Sequence, residues 1–177
     1  RPHVDGQPWN QWDPHGEKPL EGLVGLKVAI AALPMGDDGK PLPWYFAFAA
    51  DMGTRDPFAL NVFAFSPQDP HRRIFHVYCF ERTGMYGRLI AQIVLGEDEK
   101  APNGCCPPDK PKGVIGLTGW PIGAVIDADL ALIEELANVY GIRFTKAEKR
   151  ADYKFGAIEL VNGDLVEGFI KIIKGSP

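Results

Sequence analysis

Three short, aromatic-rich apolar runs, Trp44–Ala50, Phe58–Phe65 and Ile74–Phe80, follow one another with only "DMGTRDP" and "SPQDPHRR" between them. A crossover between parallel strands needs about a dozen residues or more, so links this short predict hairpins and an antiparallel meander. Each run is bounded by Gly, Pro or Asp, residues that end strands and make turns. The middle of the chain is therefore committed to a sheet.

The period then changes. Tyr86, Leu89, Ile90, Ile93 and Val94 fall at i, i+3, i+4, i+7 and i+8, one face of a helix. Residues 97–120 follow as a long Pro/Gly-rich charged loop, of a length that points to function or mobility. "GAVID" (123–127) reads as a short buried strand. After it come Asp129 as a candidate N-cap, a helix stripe of Leu130, Ile133, Leu136 and Ala137, and Gly141 as the stop. "IRF" resumes an extended run, "KAEKRADYKFGAIELVNG" has weak helical spacing, and "EGFIKIIKG" alternates as a closing strand. Upstream, the apolar stretch Leu23–Leu33 reads as a strand, with "MGDDGKPLP" as turn and loop. The fold class expected is α/β, a mixed sheet of antiparallel meander plus parallel strands flanked by helices, in the order of ribonuclease-H-like domains.

A chain of 177 residues suits one domain, and 45% hydrophobic with 11% aromatic residues can fill its core. Residues 1–22 have linker composition, although Trp9 and Trp12 suggest a segment that lies against something; residues 23–177 make the domain. The start "RPHVDGQPWNQWDPHG" lacks the order of a signal peptide and reads as cut from a longer chain. No apolar run approaches the ~18 residues of a membrane span, so no membrane partner is expected. Three cysteines without CxxC spacing argue against a disulfide framework or zinc site and for a reducing compartment. His3, His15, His71 and His76 show no paired metal spacing and read as structural or surface residues. GxSxG, HExxH and GxxxxGK[ST] are all absent, which excludes P-loop nucleotide hydrolysis by this chain. The net charge of -4 must be overcome locally if the partner is a polyanion.

Two carboxylates stand at strand ends: Asp51 closes the first run of the meander, and Asp127 closes "GAVID". If those strands are neighbours, the side chains converge on one edge of the sheet. Converging carboxylates repel, which raises one pKa or recruits a divalent cation, and oxygen-only ligands favour Mg²⁺ or Mn²⁺. Two such ions about 3.5–4 Å apart would activate water and stabilise the leaving oxygen of a phosphodiester. Plainer readings stand beside this one. Asp51-Met-Gly suits a hairpin turn, Asp127 and Asp129 compete for the N-cap, Asp56 before Pro57 suits a turn initiator more than a metal ligand, and Glu81, at the end of the third run, is a further candidate metal ligand or a solvated strand end. Arg72-Arg73 with Arg82 and Arg88 would form a basic rim for DNA, or simply sit on solvated strand ends.

Taken together, "YFAFAADMGTRDPFALNVFAF", "VYCFERTGMYGRLIA", "AVIDADLALIEELANVYGIRFTKAEKR" and "IELVNGDLVEGFIKI" resemble the nuclease domain of large terminase subunits, the DNA-packaging motors of tailed bacteriophages and prophages. The resemblance spans about residues 44–174. It implies a ribonuclease-H-like fold and two-metal cleavage of concatemeric double-stranded viral DNA in the host bacterial cytoplasm. It also implies an ATPase domain in the same parent chain, and a small terminase subunit and portal as partners. Asp51 matches the acidic residue ending the family's first strand, and Asp56 the acidic position shortly after it. Asp127 matches the second metal-binding aspartate, with Asp129 as the alternative. Lys146 and Lys149 match a basic stretch where DNA phosphate would be met.

The family's third metal-binding aspartate lies on a helix after the closing strand, whereas this sequence stops at Pro177. The C-terminal helix is therefore expected to be missing, with Asp164 the nearest substitute. Two other readings are a junction resolvase, which calls for a more basic surface, and a catalytically silent assembly module.

Overall fold

The structure, a computed structural model, describes residues 22–52, 57–148 and 170–172. In chain order it contains α1 (Gly22–Ala31), β1 (Tyr45–Met52), β2 (Phe58–Phe65), β3 (Ile74–Arg82), α2 (Gly87–Leu95), α3 (Val114–Thr118), β4 (Gly123–Asp127), α4 (Leu130–Tyr140), β5 (Thr145–Lys146) and β6 (Ile170–Ile172). Among the described residues the strands form one six-stranded sheet in the order β5-β4-β1-β2-β3-β6. β1, β2 and β3 are antiparallel neighbours, as their short links require; β4 joins β1, β5 joins β4 and β6 joins β3 in parallel. This is the mixed α/β arrangement of the ribonuclease-H-like kind.

Side chains alternate across the sheet, and the alternation sorts its two faces. Phe46, Phe48 and Ala50 of β1 are buried, in line with the buried Phe58, Leu60, Val62 and Ala64 of β2. They share one core with Leu26, Ala29 and Leu33 from α1 and just beyond, Ile90, Ala91, Val94 and Leu95 of α2, Val114 and Ile115 of α3, and Leu136 and Tyr140 of α4. Leu60 and Val62 are wholly withdrawn from solvent. Each such side chain contributes about 1.5–3 kcal/mol relative to exposure. The opposite face, carrying Ala47, Ala49, Asp51, Ala59, Asn61 and Phe63, is half-buried to exposed. "GAVID" is therefore not a fully buried strand: Ile126 is buried, whereas Val125 on the other face is 43% exposed.

Two further expectations are corrected. Leu23–Leu33 is not a strand, because Gly22–Ala31 is helical. "GLVGLKVAIA" is apolar almost all round, so neither period stands out, and a short apolar run is ambiguous between strand and helix. Tertiary packing decides, with Leu26, Ala29 and Leu33 turned into the core. The 97–120 segment is not one open loop either. It contains α3, and residues 96–106 close on themselves through a Glu97–Cys105 bridge and Cys106 N–H donating to Gly96 O (2.8 Å), tied to α2 by Gln92 Nε2 donating to Gly104 O (3.1 Å). "IRF" (142–144) carries no regular secondary structure, and the strand starts at Thr145. Most of the weakly helical stretch after Lys146 lies outside the described residues. So do residues 1–21, the bulk of the expected linker.

Candidate metal and nucleic-acid site

β1 and β4 are neighbouring parallel strands, and Asp51 and Asp127 are register partners. Their Cα atoms are thus one strand spacing apart, about 4.8 Å, and their side chains rise from the same, less covered face. Both sit at carboxyl ends of parallel strands, the place where open α/β sheets bind ligands. Asp51 is exposed and Asp127 half-buried. Ionised side chains at such separation repel unless a cation lies between or beside them.

The row continues across the sheet. Asp51 pairs with Ala59, and Ala59 with Glu81. Glu81 thereby shares the face of the two aspartates but stands two strand spacings from Asp51, roughly 9.6 Å at Cα. Its carboxylate oxygen accepts a long contact from the Cys79 thiol (3.8 Å). Burial first, and then the Glu81 charge, push that thiol up to about 12, so it stays protonated.

Asp129 occupies a different position. It is the N-cap of α4 (φ -70, ψ 160), and its Oδ1 accepts from Leu132 N–H at 2.8 Å. The competition for the cap is resolved in favour of Asp129, leaving Asp127 as the last residue of β4.

The basic residues are dispersed. Arg82 is the register partner of Phe58, and Lys146 of Ile126. Both partners face the helix-covered core, so alternation turns Arg82 and Lys146 to the face opposite Asp51 and Asp127. Arg88, in the first turn of α2, lies over Gly104, where a Cβ would come within 3.0 Å of its Nη2, and lines a polar hollow with Gln92, Glu97 and Glu99. The expected rim does not form around Arg72-Arg73, which lie in the β2–β3 turn at the far end of the sheet. Arg73 is taken up there by the buried Asp69, through Nε and Nη2 to its carboxylate at 2.9 Å each. That pairing, together with backbone N–H donors from Arg73 and His71, holds Asp69 down to about 2. Asp56 and Lys149 lie outside the described residues.

Sequence reasoning missed two features. His76 Nε2 lies 2.9 Å from Asn61 Oδ1, joining a buried histidine to a half-buried asparagine on the neighbouring strand. Polar residues in two adjacent runs were its only signal, because Asn61 is the register partner of Cys79 and His76 of Phe63. A cleft of about 400 Å³ opens at the start of β4, lined among others by Phe48, Trp120, Ile122, Arg143 and Phe144. It is about 13 Å along the strand from Asp127. Its walls come from β1, α2, the stretch 115–124 and residues 141–145, and no local pattern announces it. Cys79, Cys105 and Cys106 are all free and buried.

No protein-family model matches this sequence, and no curated protein matches it. Among solved structures, the fold is similar to that of a large terminase from a thermophilic bacteriophage. The TM-score is 0.50 at 16% identity, over 77% of this chain and 30% of that one. A second crystal form of the same terminase gives 0.47 at 15% identity, over 75% and 29%. The chain thus spans less than a third of the length of the terminase it matches, and at this identity the likeness is one of fold. No helix of the described residues is long and apolar enough to cross a membrane.

Proposed function

We propose that this chain is a divalent-metal-dependent endonuclease domain of the large-terminase type, acting on double-stranded DNA. One observation supports the reading above others: Asp51 and Asp127, 76 positions apart in sequence (127 − 51), are register partners at the carboxyl ends of adjacent parallel strands. The similarity in fold to part of a large terminase supports it independently.

The donor set suits a hard cation. Two carboxylates on one face, without thiolate or imidazole beside them in the row, fit Mg²⁺ or Mn²⁺. Among the described residues no group of three or more His, Cys, Asp or Glu is gathered for an ion. The remaining ligands are then left to water, to phosphate oxygens and to carboxylates outside the described residues, of which the sequence offers Asp56 and Asp164. When bound, two such ions supply an activated water and charge stabilisation for the leaving oxygen of a phosphodiester. Asp51 and Asp127 hold and orient that centre, and the rigid β1–β4 pairing keeps their spacing fixed without reorganisation. Concatemeric viral DNA as substrate belongs to this proposal. So do an ATPase domain in the same parent chain, a small terminase subunit and portal as partners, and the host bacterial cytoplasm as the setting.

The test is Mn²⁺-dependent nicking of supercoiled plasmid. Asp51→Asn and Asp127→Asn should each lower the rate at least about 100-fold, as expected when a group that orders transition-state charge is removed. Undiminished nicking by either variant overturns the assignment. A parent chain that neither binds Mn²⁺ nor nicks DNA would be the silent assembly module instead.

A further inference from the structure

Asp129 is the family-implied alternative to Asp127 as a metal ligand, and the geometry separates the two. We infer that Asp129 is a positioning residue, acting on the carboxylate pair through the N-cap of α4 rather than by touching an ion. The inference rests on the reading of Asp51 and Asp127 given above.

Only Ala128 lies between the last residue of β4 and the cap. Asp129 has extended backbone, and its Oδ1 takes the Leu132 N–H at 2.8 Å, while its carbonyl accepts from Ile133 N–H at 3.3 Å. The side chain thus closes the first turn of an eleven-residue helix that has no acidic residue within that turn. α4 is anchored at its other end by the buried Leu136 and Tyr140 and by Gly141, whose left-handed φ of 72 ends it. The direction in which the chain leaves β4 is therefore fixed from both sides of Ala128. On one side is the β4–β1 ladder that ends at Asp127–Asp51; on the other is the cap. Without the cap the first turn of α4 frays, and Asp127 stands just across Ala128 from the fraying end. Had β4 continued for two more residues, alternation would have put Asp129 on the face of Asp127. The turn into α4 removes it from that row.

The discrimination uses asparagine. Asn caps helices about as well as Asp, because it offers the same side-chain oxygen, but it carries no charge for a divalent ion. In the full chain, Mn²⁺ affinity is measured by calorimetry for Asp127→Asn, Asp129→Asn and Asp129→Ala. Amide exchange at Leu132 and the amide shift of Asp51 across the ladder are followed by NMR. Asp129→Asn should hold Mn²⁺ within about twofold of the parent and keep Leu132 protected. Asp129→Ala should bind about threefold to tenfold more weakly, the size of an N-cap's contribution, with faster Leu132 exchange and a moved Asp51 amide. Loss of Mn²⁺ binding in Asp129→Asn as deep as in Asp127→Asn overturns the inference and makes Asp129 a ligand. If Asp127→Asn binds Mn²⁺ like the parent, the metal reading fails by itself. The positioning role is then judged on Asp129→Ala alone, where an unmoved Asp51 amide overturns it.

Discussion

His76 lies within the sheet at 4% exposure, its Nε2 against Asn61 and its ring 5.1 Å from that of Phe63. Burial pushes the imidazole down to about 4, a backbone hydrogen bond at Tyr78 opposing only part of that. The folded chain therefore refuses a proton that the unfolded chain takes up once the pH falls below about 6.5. The contribution of His76 is constant above that value, declines as the pH drops from about 6.5 to about 4, and is fully lost below. A displacement of this size is worth on the order of 3 kcal/mol at the bottom of the window. Urea denaturation at pH 7 and pH 4.5 should show the decline, and His76→Gln, which keeps a polar partner for Asn61 without titrating, should remove most of it. An equal decline in that variant would place the titrating group elsewhere.

Among the elements, α2 and α3 meet almost backbone to backbone. Lys112 and Gly113 N–H both donate to Leu95 O (2.7 and 2.9 Å). A Cβ on Gly113 would lie 2.5 Å from Gly96 N and from Ile93 O, atoms with no freedom to retreat. Gly113→Ala should cost about 1–3 kcal/mol, the usual penalty of overpacking, read as a lower midpoint in thermal or urea unfolding. A variant as stable as the parent would mean that the two elements are not so closely seated. The same contrast between local and distant causes explains what the sequence disclosed. The meander was legible because its links are too short for any alternative, and α4 because Asp129, its apolar stripe and Gly141 are all local signals. α1 was not, since an apolar decapeptide has no readable period until Leu26 and Ala29 find a core. Asp51 and Asp127 were visible as strand-end carboxylates, but their being partners depended on β4 docking beside β1, which no local residue encodes. The faces taken by Arg82 and Lys146 depended on register and were equally hidden.

For the molecule as a whole, charge and topology bear on DNA binding. The net charge is -4, and the register turns Arg82 and Lys146 away from the face of the carboxylate pair. The isolated chain should therefore bind duplex DNA weakly, with a slope of log affinity on log salt smaller in magnitude than ~3. Tight binding with a slope near ~6 or beyond, measured by fluorescence anisotropy across a roughly 50 to 200 mM salt series, would contradict that. The β1–β4 pairing also has a kinetic meaning. Hairpins β1–β2 and β2–β3 close over a few residues, whereas bringing Asp127 to Asp51 closes a loop of 76 positions (127 − 51). Contacts of such long range are reached late, after local ones have reduced the entropy of closure. During synthesis and early collapse the two acids therefore belong to separate parts of the polypeptide, and the capacity to grip an ion between them arrives only with the finished architecture.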